Sequence, residues 1–176
     1  DPDTGAANCT KWYGLLPAKS LGLDGDYDAN NSLLDPWGSP YRYQVTSKNS
    51  GATGLADFIA SPSEIKLVGM GTLDPDLEVC TINPSTGNDT NCGLAPVTVA
   101  KGVVAVVLSL GKDKGNLSPN SQIQIENMDN TDDGTTDTVF VKATRSSAAG
   151  KQFDDIVKYI SPNLLYSKMI EAGKLP

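Results

Sequence analysis

The chain has 176 residues, enough for one domain with a substantial core. Its 21 acidic residues outnumber 14 scattered basic ones for a net charge of −7, so neither a nucleic-acid partner nor an anionic membrane surface is expected. No histidine occurs, which removes Ser-His-Asp and Cys-His catalysis and most zinc sites.

Residues 1–36 read as irregular, with a short helical turn expected near Lys11–Leu16 and a loop rich in Gly and Asp beyond it. The opening "DPDTGAAN" reads as a matured or truncated start, so an export or anchoring segment is expected upstream. The longest apolar segment, "VVAVVLSL" at 103–110, is far shorter than a bilayer span. In "DGDYDANNSLLD" the residues Asp24, Asp26, Asp28, Asn30 and Asp35 follow the spacing of a calcium loop. Ala29 stands where a sharp turn needs Gly, and Asp35 where a longer Glu is usual, so an EF-hand is not expected. Asp24, Asp26 and Asp28 are the weaker of two calcium candidates.

Tyr41–Thr46 alternates in the manner of a half-buried strand, and Glu64–Val68 and Leu77–Ile82 do the same. Cys80 and Cys92 bracket "TINPSTGNDTN", a polar run unable to pack a core of its own. A disulfide between them is expected, closing a loop for about 3 kcal/mol of unfolded-state entropy. Cys9 is then the odd thiol, with a partner expected outside this chain. A disulfide implies an oxidising compartment, the periplasm or the cell exterior.

Val97–Leu110 is rich in β-branched residues, and at least its second half is expected to be a buried central strand. Ser121–Glu126 and Thr138–Thr144 are expected to add two strands. Between them "DNTDDGTTD" gathers Asp129, Asp132, Asp133 and Asp137, whose charges repel unless water or a cation screens them. This is the main calcium candidate, since magnesium asks for stricter geometry and fewer protein ligands. Asp154 and Asp155 in "FDDIV" point to opposite faces if that segment is extended, and no catalytic residue or enzymatic activity is assigned. The C-terminus supplies Ser161 as N-cap, Pro162 at the first helical position and Gly173 past the end of a short amphipathic helix. Its expected face is Leu165, Met169 and Ala172, with docking on the chain's own sheet.

The stretch "LLDPWGSPYRYQV", Leu33 to Val45, puts a corner before a strand: Asp35 caps a turn, Pro36 fixes φ and Gly38 lets the chain double back. It resembles the D-P-W-G-x-P-Y-x-Y segment of the major pseudopilins of type II secretion and related type IV pilin-like proteins. "VVLSLGKDKG" resembles the strand-to-loop segment that leads into the calcium-binding loop of pseudopilins. "FDDIVKYISPNLLYSKMIEAGKLP" is similar to the tail of a group of larger prepilin-type proteins, in which a "GLLP" segment, here Gly14–Pro17, also precedes the corner. Together these stretches cover about a third of the chain.

The resemblance implies an α+β fold over residues 1–176 as one domain: a pilin-like head, with an N-terminal helix remnant on an antiparallel sheet, long loops and a short C-terminal helix. It implies a structural subunit, a minor pilin or pseudopilin, of a type IV pilus or a type II secretion-like filament. A membrane helix absent from this chain would anchor the subunit before assembly. The implied partners are other pilin or pseudopilin subunits and the inner-membrane assembly machinery, and calcium would rigidify loops. The rival expectation is an extracellular, calcium-dependent adhesion or ligand-binding module that reaches its target through the Cys80–Cys92 loop.

Overall fold

The structure, a computed structural model, describes residues 13–46, 65, 75–81, 92, 97–113, 122–129, 138–148 and 152–175. In chain order its elements are β1 (Tyr13–Leu15), β2 (Arg42–Val45), β3 (Leu77–Cys80), β4 (Thr98–Val103) and β5 (Ala105–Ser109). Helix α1 (Gln122–Asp129), β6 (Val139–Val141), β7 (Ile156–Ile160) and helix α2 (Pro162–Glu171) follow. The fold is therefore mixed α+β.

Two sheets carry it. The first is antiparallel in the order β1-β2-β5-β7, and the second runs β4-β3-β6 with β3 antiparallel to β4 but parallel to β6. The expectation of an antiparallel sheet thus holds for the first sheet and is corrected for the second. The apolar run Val97–Leu110 explains how the sheets join. Its first half pairs in the second sheet and its second half in the first, with the switch at Val104. Val104 N–H donates to the Ile160 carbonyl, and its own carbonyl accepts from Thr46 N–H, both at 2.9 Å. A second tie lies close by. The Thr46 hydroxyl donates to Asp76 Oδ1 at 2.5 Å, and Asp76 N–H returns a bond to Thr46 Oγ1 at 3.0 Å.

Strand alternation decides what lies between the sheets. Val106, Leu108 and Val157 share one face of the first sheet, and they cluster with Leu77, Val79, Val103, Leu110 and Phe140. Each of these large side chains stabilises the fold by roughly 1.5–3 kcal/mol on full burial. On the other face of the second sheet Cys80, Cys92 and Val139 form a smaller cluster, with Val97 against it.

Three expected elements differ. Tyr13–Leu15 is a strand rather than part of a helical turn, because its backbone groups pair with Arg42–Gln44 of β2. Residues 1–12 lie outside the described residues, so the expected N-terminal helix remnant is not found among those described. Ile65, the one described residue of the expected strand Glu64–Val68, is helical. Of the expected strand Ser121–Glu126, the described residues 122–126 belong to α1, not to a strand. There Ile123 and Ile125 mimic a two-residue apolar period, whereas the side chains buried on the helix include the polar Gln124, Glu126 and Asn127. Period reading misses a helix that docks through polar groups.

Helix α2 starts as expected: the Ser161 hydroxyl accepts from Leu164 N–H at 3.3 Å, and Pro162 follows. Gly173 takes φ +66 after Ala172. The helix is seated only shallowly. None of its residues is buried; Leu165, Tyr166 and Met169 are half-buried, and Ala172 is exposed. Among the described residues no helix is long and apolar enough to cross a membrane.

Candidate functional site

Three features stand out once the core is accounted for: the outer face of the first sheet, the corner at Asp35, and a cluster of carboxylates at the head of β7. The outer face follows from register. Tyr43 lies opposite Val107, Val45 opposite Ala105, Ala105 opposite Ile160, and Ser109 opposite Ile156. All therefore point away from the inter-sheet core. Most of this face is apolar, yet it is only partly covered: Tyr43, Val45, Ala105 and Val107 are half-buried, while Ile156 and Ile160 are 39% and 37% exposed. Lys158 lies among them, directly opposite Val107. Leu164 and Ile170 of α2 add exposed apolar surface further along the chain.

The corner is built by one carboxylate. Asp35 Oδ1 accepts from Trp37 N–H at 2.9 Å and Ser39 N–H at 2.8 Å, and Oδ2 accepts from the Ser109 hydroxyl at 2.6 Å. Gly38 N–H closes the turn on the Asp35 carbonyl at 3.0 Å, and its φ of +78 is one that favours glycine. Trp37 is half-buried. Leu34 and Pro40 then form an antiparallel bridge that leads into β2. Asp35 is buried, and its three donors meet the needs of both oxygens.

The carboxylate cluster joins three segments distant in sequence. Asp113 follows β5, Asp154 and Asp155 precede β7, and α1 supplies the amides between them. Gln124 Nε2 donates to Asp113 Oδ1 and to Asp154 Oδ1, each at 3.1 Å. Asp154 Oδ2 accepts from Lys112 N–H at 2.7 Å. Asn127 Nδ2 donates to Asp155 Oδ2 and to the Val141 carbonyl, both at 2.8 Å, while its Oδ1 accepts from Val141 N–H at 2.7 Å. One amide thus completes the edge of β6 as a neighbouring strand would. The two adjacent acids were expected on opposite faces, but both serve α1, because the chain at 154–155 has not yet entered β7.

Electrostatics sets the acids apart. Burial pushes the Asp155 carboxyl up to about 7; the Asn127 amide pulls it back, and the nearby charges of Asp154 and Asp113 push it further. Asp113 is raised above the usual carboxylate range by burial, then by its hydrogen bond and charge repulsion with Asp154, with Gln124 opposing. Gly111 makes room for this arrangement. It takes φ +67, and a Cβ there would lie 2.3 Å from Asp154 Oδ1.

The disulfide is where the sequence puts it: Cys80 and Cys92 are bonded, with Cα atoms 5.7 Å apart. The buried Glu78 holds the same loop from below. Its Oε2 accepts from Cys92 N–H at 2.8 Å and its Oε1 pairs with Lys101 Nζ at 3.2 Å. Cys9 lies outside the described residues.

The metal candidates fare differently. Asp129 is the last residue of α1; its side chain and all of Asp132, Asp133 and Asp137 lie outside the described residues. Asp24, Asp26 and Asp28 sit in a loop that closes on itself. Asp28 Oδ1 accepts from Asn30 N–H at 2.9 Å and Ser32 N–H at 2.8 Å, and Lys19 Nζ bonds Asn31 Oδ1. Among the described residues no group of three or more Asp, Glu or Cys side chains is placed to hold a metal ion, the Asp113–Asp154–Asp155 cluster included. A cavity of about 410 Å³ lies beside this loop, lined by Leu15, Pro17, Lys19 and Asn31 among others, and one of about 350 Å³ lies between Thr81, Val99 and Lys142. Among the described residues no carboxylate lines either.

Sequence reading missed the cluster, since its acids are at 113, 154 and 155. The available signal was Gly111 before "KDKG" and the paired acids at the start of a strand, but only the fold shows that they meet. No protein-family model, curated protein or solved structure matches the chain.

Proposed function

We propose that this chain is the head of a filament subunit of the pilin-like class, a minor pilin or pseudopilin, which assembles through an N-terminal helix lying upstream of it. The observation that carries this reading is the outer face of the four-stranded sheet. Tyr43, Val45, Ala105, Val107, Ile156 and Ile160 form an apolar surface on the side away from the core. A helix laid along that face would bury the exposed parts of Ile156 and Ile160, at about 25 cal/mol for each Å² of apolar surface removed from water. An assembling head needs such a seat for its stalk.

The corner supports the same reading. Two of the three stretches whose resemblance suggested the class, Leu33–Val45 and Val106–Gly115, are bonded to each other by the Ser109 hydroxyl and Asp35. Their likeness thus describes one structural unit. On this reading the chain breaks no bond; it holds position among neighbouring subunits. Calcium at the Asp129–Asp137 loop belongs to the proposal as a means of stiffening a contact loop.

The encoding gene tests the reading. A short basic leader, a Gly before the cleavage point, a Glu soon after it and about 20 apolar residues are expected ahead of Asp1. A secretory leader cleaved directly before this domain would overturn the proposal and favour the adhesion module. A second test uses the stalk-bearing protein. Asp substituted at Val107 should leave the isolated head folded and abolish recovery of the subunit in sheared filaments, whereas unchanged recovery would remove the seat from the argument.

A further inference from the structure

The carboxyls at the head of β7 are arranged differently from an ordinary ion pair. Among the described residues no lysine or arginine pairs with Asp113, Asp154 or Asp155. Each element around Asp155 can be checked. Helix α1 brings the amides of Gln124 and Asn127 and a further buried carboxylate, Glu126. The segment after β5 brings Asp113, and Lys112 contributes its backbone N–H while its side chain is exposed. Val139–Val141 of β6 brings no charge, and Lys142 beyond it reaches over the Tyr159 ring at 5.3 Å. The head of β7 brings Asp154.

Gln124 is 1% exposed, and its Oε1 has no hydrogen-bond partner. A buried carbonyl oxygen without a donor has lost its bonds to water and gained none in exchange. If the amide turns over, that oxygen faces Asp113, whose carboxylic acid O–H would satisfy it. The site therefore lacks donors, and the simplest donor for a group of carboxylates is a proton.

We propose that Asp155, with Asp113 and Asp154 beside it, forms a proton-operated clasp that holds α1 against β6 and the head of β7, closed in mildly acidic medium and loosened as Asp155 ionises. The mechanism is electrostatic. Protonated Asp155 bonds Asn127 without leaving a charge in the interior, and Asn127 in turn holds the Val141 backbone. Ionised Asp155 sits beside two like charges with one donor, and the helix that supplies that donor also carries the buried carboxylate Glu126. The sign follows from linkage: a carboxyl held up to about 7 in the fold favours the folded state below its unfolded value of 3.8, and that contribution is lost as pH rises through about 7. This inference does not depend on how the head assembles.

The test uses the purified chain with a chelator present. Its melting temperature is expected to fall by several degrees between about pH 5 and about pH 8, and hydrogen exchange in α1 to quicken relative to β5 beyond the intrinsic pH effect. Asp155→Asn should flatten the profile and melt above the parent chain at the alkaline end. A parent profile that is level or rises over that range, or an Asp155→Asn profile with the parent slope, would overturn the clasp. If the variant fails to fold, carbon-detected NMR of the parent chain decides. One aspartate carboxyl titrating near neutrality supports the proposal, and every aspartate carboxyl titrating below about pH 5 defeats it.

Discussion

The corner and the clasp use the same side chain in opposite ways. Asp35 is buried with three donors, two from its own turn and one from Ser109 on the central strand. Asp155 is about as buried, yet it has one donor and two acidic neighbours. The first carboxylate is a fixed part of the frame, because two of its donors come from backbone held in a tight turn. The second depends on an amide from a helix that also has to satisfy β6. Burial by itself does not decide what a carboxyl does; the supply of donors does.

The largest effect is expected at the corner. Asp35→Ala removes three hydrogen bonds and strands the Ser109 hydroxyl, so urea unfolding at neutral pH should show a loss of about 4 kcal/mol. A loss below about 1 kcal/mol would break the contrast. Asp155→Asn is expected to do the reverse in alkaline medium. Near pH 8 it should gain on the order of 3 kcal/mol over the parent chain, and near pH 4 almost nothing, as the charge it removes is present only at high pH. Gly111→Ala sharpens the comparison from the other side of the clasp. Its Cβ would strike Asp154 Oδ1 in a backbone conformation that already favours glycine, for a loss of about 2 kcal/mol with weaker protection of α1 in hydrogen exchange. Ser161→Ala touches neither region. It should cost about 1 kcal/mol or less through the lost cap of α2, and its pH profile should parallel that of the parent chain.

Local chemistry made much of this legible. The turn at Asp35–Gly38 could be read residue by residue, because each function it needs belongs to one side chain: a capping oxygen, a fixed φ, a permissive φ. The Ser161–Pro162 start of α2 and the Cys80–Cys92 bridge were legible for the same reason. Strands β2, β3, β5 and β6 followed from alternation or β-branched runs. Helix α1 was not legible, since its buried contacts come from Gln124 and Asn127, which no apolar period reports. Nor was β1, whose short "YGL" has no pattern and becomes a strand only because β2 offers it partners.

What the sequence determined by itself is therefore the set of local devices: the corner, the cap, the bridge and the propensity of the β-branched run to extend. Those depend on groups a few residues apart, or on a covalent bond between two marked positions. Tertiary structure alone decided that Val97–Leu110 divides between two sheets, that β3 runs parallel to β6, and that acids from 113, 154 and 155 converge on one helix. Such outcomes rest on which long-range partners satisfy a backbone group or bury a charge, and no single stretch of chain contains both halves of that choice.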